Sequence, residues 1–383
     1  MRIFHLSDLH IGLKLMNQDL REDQEYVLEQ VAAAAALRRP DAILIAGDLY
    51  DKAVPAAEAV EVFDWFILKL RQAAPEAEIM AVSGNHDSGT RINLFRDILK
   101  DQRIHMIGLP PQRPEEYIQQ VTLEDSFGEV HFYLLPFVKP SMVRGITGTD
   151  EKGNSLSYDQ ALRRLLGRER LREEDRNVLV SHQFYLPMGK DPREVERMDS
   201  EICTVGNIDA VRTDVLEKFD YGALGHIHKP MKAGGDRFRY CGTPLACSVS
   251  EGGQQKGILE VELGKKGQLD IQVIPLRPLR QIRVIRGKLE EVLAQGCQDY
   301  VTALLTDKEE LDVLDMQSRL RQAFPHLLEI RRELVRRADY RELERGEAET
   351  LDAFSLCCSF LKDLDQEERL LLQDVLNTIG EVR

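Results

Sequence analysis

Arg2-Ile3-Phe4-His5-Leu6-Ser7-Asp8-Leu9-His10 opens the chain. The apolar run Ile3 to Leu6 predicts a short buried strand, and Asp8 and His10 follow just beyond its end, where side chains two apart can share a face. A carboxylate and an imidazole at that spacing suit a transition metal, because oxygen and nitrogen donors together favour Mn, Fe or Zn over Ca. An Asp-x-His pair after a strand is more often an ordinary loop, so the metal reading depends on further ligands elsewhere in the chain.

Those ligands recur at strand ends. Ile11 to Leu20 reads as a loop, Glu22 to Arg39 as a helix stopping before Pro40, and Asp41 to Ala46 as a second strand that ends in Gly47-Asp48. Strand, helix, strand makes a βαβ unit, which brings Asp8 and Asp48 out on the same edge of a sheet. Pro55 introduces a helix over 56–73, and the strand Ile79 to Val82 then ends in Ser83-Gly84-Asn85-His86-Asp87. Further on, Asn177 to Val180 leads into Ser181-His182, and Tyr221 to Leu224 into Gly225-His226-Ile227-His228, with Gly225 permitting a close backbone approach. The collected residues are Asp8, His10, Asp48, Asn85, His182, His226 and His228, with Asp51 and His86 close by. A single strand histidine is commonly a satisfied core residue. Successive strand ends that all present metal-ligand types mark the crevice where α/β folds place their sites.

A chain of 383 residues is long enough for a main domain with smaller modules. The net charge of −14 argues against holding nucleic acid by bulk positive charge, although bound cations or a basic partner could neutralise phosphate locally. Six cysteines without a C-x-x-C pair predict reduced thiols. With neither a leader pattern nor an apolar run of about 18 residues, the expectation is a cytoplasmic protein without membrane association. Composition shifts at Pro275, giving expected domains of 1–274, 275–335 and 350–383, with 336–349 a charged linker. The second reads as strand, strand, helix, strand. The last reads as two amphipathic helices, a hairpin too short for its own core and in need of a partner. Helices over 56–73 and 91–99 carry surplus apolar surface, for the core or for a second subunit. Residues 140–153 read as a surface loop, and 187–204 as a polar loop suited to a substrate or partner. Lys14, Asn17 and Arg91, beside the polar turns, are either phosphate contacts or solvated surface.

In their order, D-x-H, G-D-x-x-D, G-N-H-D, S-H and G-H-x-H resemble the calcineurin-like metallophosphoesterase superfamily, over residues 1 to about 250. The resemblance implies an α/β fold: a metallophosphoesterase β-sandwich flanked by helices, followed by a small α+β capping domain and a C-terminal helical hairpin. It implies two divalent ions, expected to be Mn. Asp8, His10 and His228 would hold one and Asn85, His182 and His226 the other, with Asp48 bridging both and a water between them as nucleophile. Two cations about 3.5–4 Å apart suit phosphodiester hydrolysis, since they supply a nucleophile near neutral pH and neutralise the phosphoryl oxygens. The leaving alkoxide needs a proton, which His86 could supply, with Asp51 holding its tautomer.

G-D-L-Y-D, the stretch Asp220 to Pro230, Tyr240-Cys241-Gly242-Thr243-Pro244-Leu245 and Ser248-Val249-Ser250-Glu251 are further similar to the SbcD nuclease-subunit family. That similarity implies a DNA nuclease of double-strand break and hairpin processing, a 3'-5' exonuclease on duplex ends and an endonuclease on hairpin or blocked ends. It implies an SbcC-type ABC ATPase partner whose coiled-coil base the hairpin clasps, and a homodimer through 56–73 and 91–99. Some members carry His where this chain has Asp51. The alternatives are a small-substrate phosphodiesterase or phosphatase with the same metals, and a non-catalytic assembly module with a decayed site.

Overall fold

Two six-stranded sheets face each other in the computed structural model, which describes residues 1–190, 198–201, 209–307, 312–333 and a few positions between 365 and 372. In the first sheet, Arg2–Leu6, Ala42–Ala46, Glu78–Val82 and Ile104–Ile107 run parallel, and Lys256–Leu263 and Leu269–Leu276 extend it antiparallel beside Arg2–Leu6. The second sheet is ordered Met231–Lys232, Phe238–Tyr240, Tyr221–Gly225, Arg176–His182, Gly128–Leu135, Gln119–Asp125. This is the helix-flanked sandwich expected from the sequence.

Strand composition follows from burial on both faces. Ala42–Ala46 is apolar throughout and wholly buried, as a parallel strand covered on each side must be. Ala42, Leu44 and Ala46 meet Phe132, Val180 and Ala223 of the opposite sheet, while Ile43 and Ile45 pack outward against the helices Arg21–Arg38 and Ala57–Ala73. Phe66 of the second helix is fully buried there, a contact worth about 1.5–3 kcal/mol. The outer face of the second sheet is covered by Tyr158–Gly167, started by a capping box of Ser157 and Gln160. His5 does not join the polar turns. Inside the sandwich its Nδ1 lies 2.8 Å from the Tyr221 hydroxyl, and burial pushes its pKa down to about 3.

Ile282–Gly287, Tyr300–Leu305 and Leu327–Arg332 form a separate parallel sheet with its own core of Ile285, Val301, Met316, Leu320 and Phe324. Asp23, wholly buried on the first helix, joins it to the sandwich by accepting from the Arg280 guanidinium and the Tyr300 hydroxyl, both at 2.7 Å. Three expectations need correction. The second crossover helix, Val313–Ala323, was legible, but the first, Leu289–Leu293, is too short to show a helical period. The expected helix over 91–99 is two short ones, Gly89–Ile92 and Arg96–Lys100, broken where Phe95 takes a left-handed φ of 59°. Residues 140–153 contain two helical turns, Pro140–Met142 and Arg144–Thr147.

Residues 1–333 form one compact unit and 334–383 a second. The expected charged stretch 336–349, almost all of the expected hairpin and part of 187–204 lie outside the described residues. Among the described residues no helix is long and apolar enough to cross a membrane.

Candidate metal centre

The polar turns converge because the backbone is forced to bring them together. Asp8, His10, Asp48 and His226 all adopt positive φ, at 52°, 43°, 48° and 99°. Such conformations cost about 1–3 kcal/mol each in side-chain-bearing residues and persist only when the surroundings impose them. Here the Asp8 amide donates to Gly47 O and the His10 amide to Asp48 O, both at 3.0 Å, locking the first two turns together. Glycine is required alongside. A Cβ at Gly84 would stand 2.1 Å from Asp48 Oδ1, and one at Gly225 would stand 1.9 Å from Ala46 O.

All seven residues singled out as ligands lie in one cluster. His10 Nε2 and His228 Nε2 are 3.1 Å apart, and Asp8, His10 and His228 present donor atoms within 4.8 Å of one another. Asp8, Asp48 and His182 form a second such group, with His182 Nε2 3.2 Å from Asp48 Oδ2. Asn85 Oδ1 lies 2.9 Å from His182 Nε2 and 2.8 Å from His226 Nδ1. Asp48 Oδ2 also lies 3.7 Å from His10 Nε2, so one carboxylate oxygen approaches an imidazole of each group.

Burial sets the electrostatics. It pushes the Asp8 carboxyl up, against the pull of His182 and His228. It lowers His10 to about 3. Burial also opposes charge on Asp48 and His182, but their mutual attraction wins: Asp48 is held well below the usual carboxylate range, and His182 rises to about 9. Crowded, desolvated carboxylates and imidazoles with opposed protonation preferences are what divalent cations relieve. The donor set fits such ions. Donors of one ion, each about 2.0–2.1 Å from it, stand about 2.9–3.4 Å apart, which matches the facing His10 and His228 nitrogens. His182 Nδ1 lies 2.8 Å from Ala46 O and so donates, leaving Nε2 as the ligand atom.

His86 sits at the rim, its ring 4.8 Å from that of His10 and its amide donating to Asp48 Oδ1 at 2.8 Å. The expected contact with Asp51 is made by a different group. His86 Nδ1 donates to the Asp51 backbone carbonyl at 2.9 Å, whereas the Asp51 carboxylate lies 3.9 Å from His10 Nδ1. The tautomer is therefore held by a main-chain acceptor, with Nε2 the remaining nitrogen for proton exchange. Lys14 and Asn17 lie on an exposed hairpin, Lys14–Leu15 with Gln18–Asp19, and Arg91 is exposed on its short helix. Among the described residues, none of these three side chains makes a hydrogen bond or ion pair with the cluster.

Residue-type reasoning passed over the groups that support the ligands. Asp87 accepts from the amides of Leu49, Tyr50 and Gly84 at 3.0, 3.0 and 2.9 Å, clamping the second and third turns together. Its place in G-N-H-D, beside Asn85 and His86, was the available signal. Glu201 accepts from the His228 amide at 2.9 Å, and Ser200 and Glu251 stand behind the His228 ring.

Comparison with known proteins gives the family of the chain. Residues 1–230 match the calcineurin-like phosphoesterase family, and residues 275–363 match the family described as type 5 capsule protein repressor C-terminal domain. The SbcD subunit of the nuclease SbcCD of Staphylococcus saprophyticus is 30% identical over 337 residues, covering 86% of this chain and 84% of that protein. Among solved structures, TT1561 of Thermus thermophilus aligns with a TM-score of 0.40 at 13% identity, over 71% of this chain and 98% of that one. A dimetal phosphatase from Danio rerio aligns with a TM-score of 0.42 at 14% identity, over 71% and 95%. The chain therefore belongs to the calcineurin-like metallophosphoesterases, within their SbcD nuclease-subunit family, and is a metal-dependent phosphodiester hydrolase.

Proposed function

We propose that this chain is the nuclease subunit of a DNA-processing complex, cleaving phosphodiesters with two divalent ions, Mn foremost. The observation that carries the reading is the convergence of Asp8, His10, Asp48, Asn85, His182, His226 and His228 in one cluster. Asp8, His10 and His228 would hold one ion, the other three the second, and Asp48 would bridge them. When bound, the pair would neutralise the phosphoryl oxygens and acidify a water near neutral pH.

The chain's own residues do the rest. The left-handed turns and Asp87 preorganise the donors, so little rearrangement accompanies substrate binding. His86, its Nδ1 anchored on the Asp51 carbonyl, presents Nε2 to protonate the departing sugar oxygen. Asp51 is then a positioning residue acting through its main chain. Lys14, Asn17 and Arg91, all exposed, are proposed phosphate contacts.

The substrate assignment, 3'-5' resection of duplex ends and endonucleolytic opening of hairpins or blocked ends, rests on the motif resemblance to the SbcD nuclease-subunit family, which the staphylococcal relative supports as far as a nuclease subunit. So does an ABC-type ATPase partner, engaged through 350–383, with 275–335 capping the site and 336–349 linking the two. Exposed Leu94, Phe95 and Ile98, with Val60 and Leu68 of the longer helix, support self-association through 56–73 and 91–99. Digestion of a hairpin DNA and of a small aryl phosphate in Mn tests the proposal: the hairpin should be cut far faster, and a preference for the aryl phosphate would make this a small-substrate phosphatase. A chain truncated after residue 340 should keep its chemistry and lose ATPase binding. Full binding by that truncation would remove the hairpin's role.

A further inference from the structure

The groups behind His228 form a closed chain of contacts that the two-ion scheme does not itself require. His228 Nδ1 lies 2.7 Å from Ser200 Oγ, Ser200 Oγ donates to Glu251 Oε1 at 2.7 Å, and that carboxylate oxygen itself stands 3.6 Å from Nδ1, beyond hydrogen-bond reach. Because the serine proton goes to the carboxylate, the imidazole must donate its Nδ1 proton to the serine oxygen. Nε2 is then the unprotonated nitrogen, and it faces His10 Nε2.

Glu251 is held rigidly enough to impose that order. It is 1% exposed, and its Oε1 also accepts from Ser248 Oγ at 3.1 Å. Its Oε2 accepts from Thr243 Oγ1 at 3.0 Å and from Lys256 Nζ at 2.6 Å. The same ammonium donates to the His228 carbonyl at 3.2 Å, so the histidine is gripped by both ring and backbone. A buried carboxylate with every partner supplied locally, one of them reaching a ligand imidazole, is the arrangement that fixes a metal-binding tautomer and strengthens the nitrogen as a donor.

We infer that Glu251 is a positioning residue, acting through Ser200 to fix His228 with Nε2 as the metal donor and thereby setting the affinity of one of the two metal positions, that of Asp8, His10 and His228. The inference rests on the two-ion reading proposed above.

Titration of Mn(II) into the metal-free full-length chain, with free Mn read by electron paramagnetic resonance, separates the two. Wild type should take up two equivalents; no uptake would overturn the two-ion reading, and this inference with it. Ser200→Ala cuts the relay and leaves the Glu251–Lys256 pair in place. It should weaken one equivalent by about 10–100-fold, leave the other unchanged and hold the melting temperature near wild type. Ser200→Thr should restore the lost affinity. The double variant Glu251→Gln, Lys256→Met, which avoids stranding a buried ammonium, should show the same selective loss. Wild-type affinity at both positions in Ser200→Ala and in the double variant, or equal weakening of both positions, would overturn the positioning role while leaving the two-ion centre standing.

Discussion

Among the described residues of the sandwich, two clusters of carboxylate and imidazole are built differently. At the strand ends, Asp8, His10, Asp48 and His226 sit on strained backbone, and imidazole nitrogens face one another at 3.1 Å. On the second sheet, Glu129, His131 and Asp175 also bring donor atoms within 4.8 Å. There, however, none of the three adopts positive φ, His131 Nε2 reaches Asp175 at 3.1 Å, and Nδ1 lies 2.9 Å from Thr122 Oγ1. Arg172 already supplies a cation, 2.8 Å from Glu129. Proximity of ligand-type atoms does not distinguish the clusters. Imidazole nitrogens turned on one another over strained backbone do, because a folded chain retains such costs where function needs them.

The largest effect should come from Asp48, the carboxylate proposed to bridge the two ions. Asp48→Asn should remove bound Mn and lower hairpin cleavage by about three orders of magnitude or more, read by metal analysis and digestion. His131→Ala, treated identically, should change neither; metal loss there would erase the contrast. His86→Ala should retain metal but lose about 10²–10⁴ in cleavage rate, and unimpaired cleavage would sink the proton-donor role.

Beside the satisfied cluster, Asp125 receives the buried Arg176 guanidinium at 2.6 Å and the chain amino group at 2.8 Å. Burial opposes its ionisation, yet these partners hold its carboxyl below the usual range. A lowered folded pKa adds stability above the unfolded value, near pH 4, and loses it as pH falls toward the folded one. Asp125→Asn should therefore cost about 2–3 kcal/mol at pH 7, less than a fully buried pair, with the deficit shrinking below about pH 4 in denaturant melts. A pH-independent deficit would contradict the assignment. The smallest effect is on folding by His131→Ala, about 1–2 kcal/mol from lost hydrogen bonds.

The centre was legible because its ligands announce themselves by type at the ends of apolar strands, as Gly47-Asp48 and Gly225-His226-Ile227-His228 do. What escaped was chemistry without such a signal. The Asp51 contact is made by a carbonyl, which every residue has. Ser200, in a turn, and Glu251, ending the helical turn Val249–Glu251, are far apart in sequence, and only the folded chain brings them to His228. His5 shows the converse: a histidine three residues before Asp8 that serves packing between the sheets. The break at Phe95 escaped because apolar periodicity continues across it, whereas a left-handed residue leaves no mark in hydropathy.

The bridging position of Asp48 is the central claim. The metal-free protein loaded with two equivalents of Mn(II) and measured by low-temperature electron paramagnetic resonance should give the spectrum of an exchange-coupled pair, lost in Asp48→Asn. Two uncoupled Mn(II) signals, or one equivalent only, would contradict a shared carboxylate between adjacent ions.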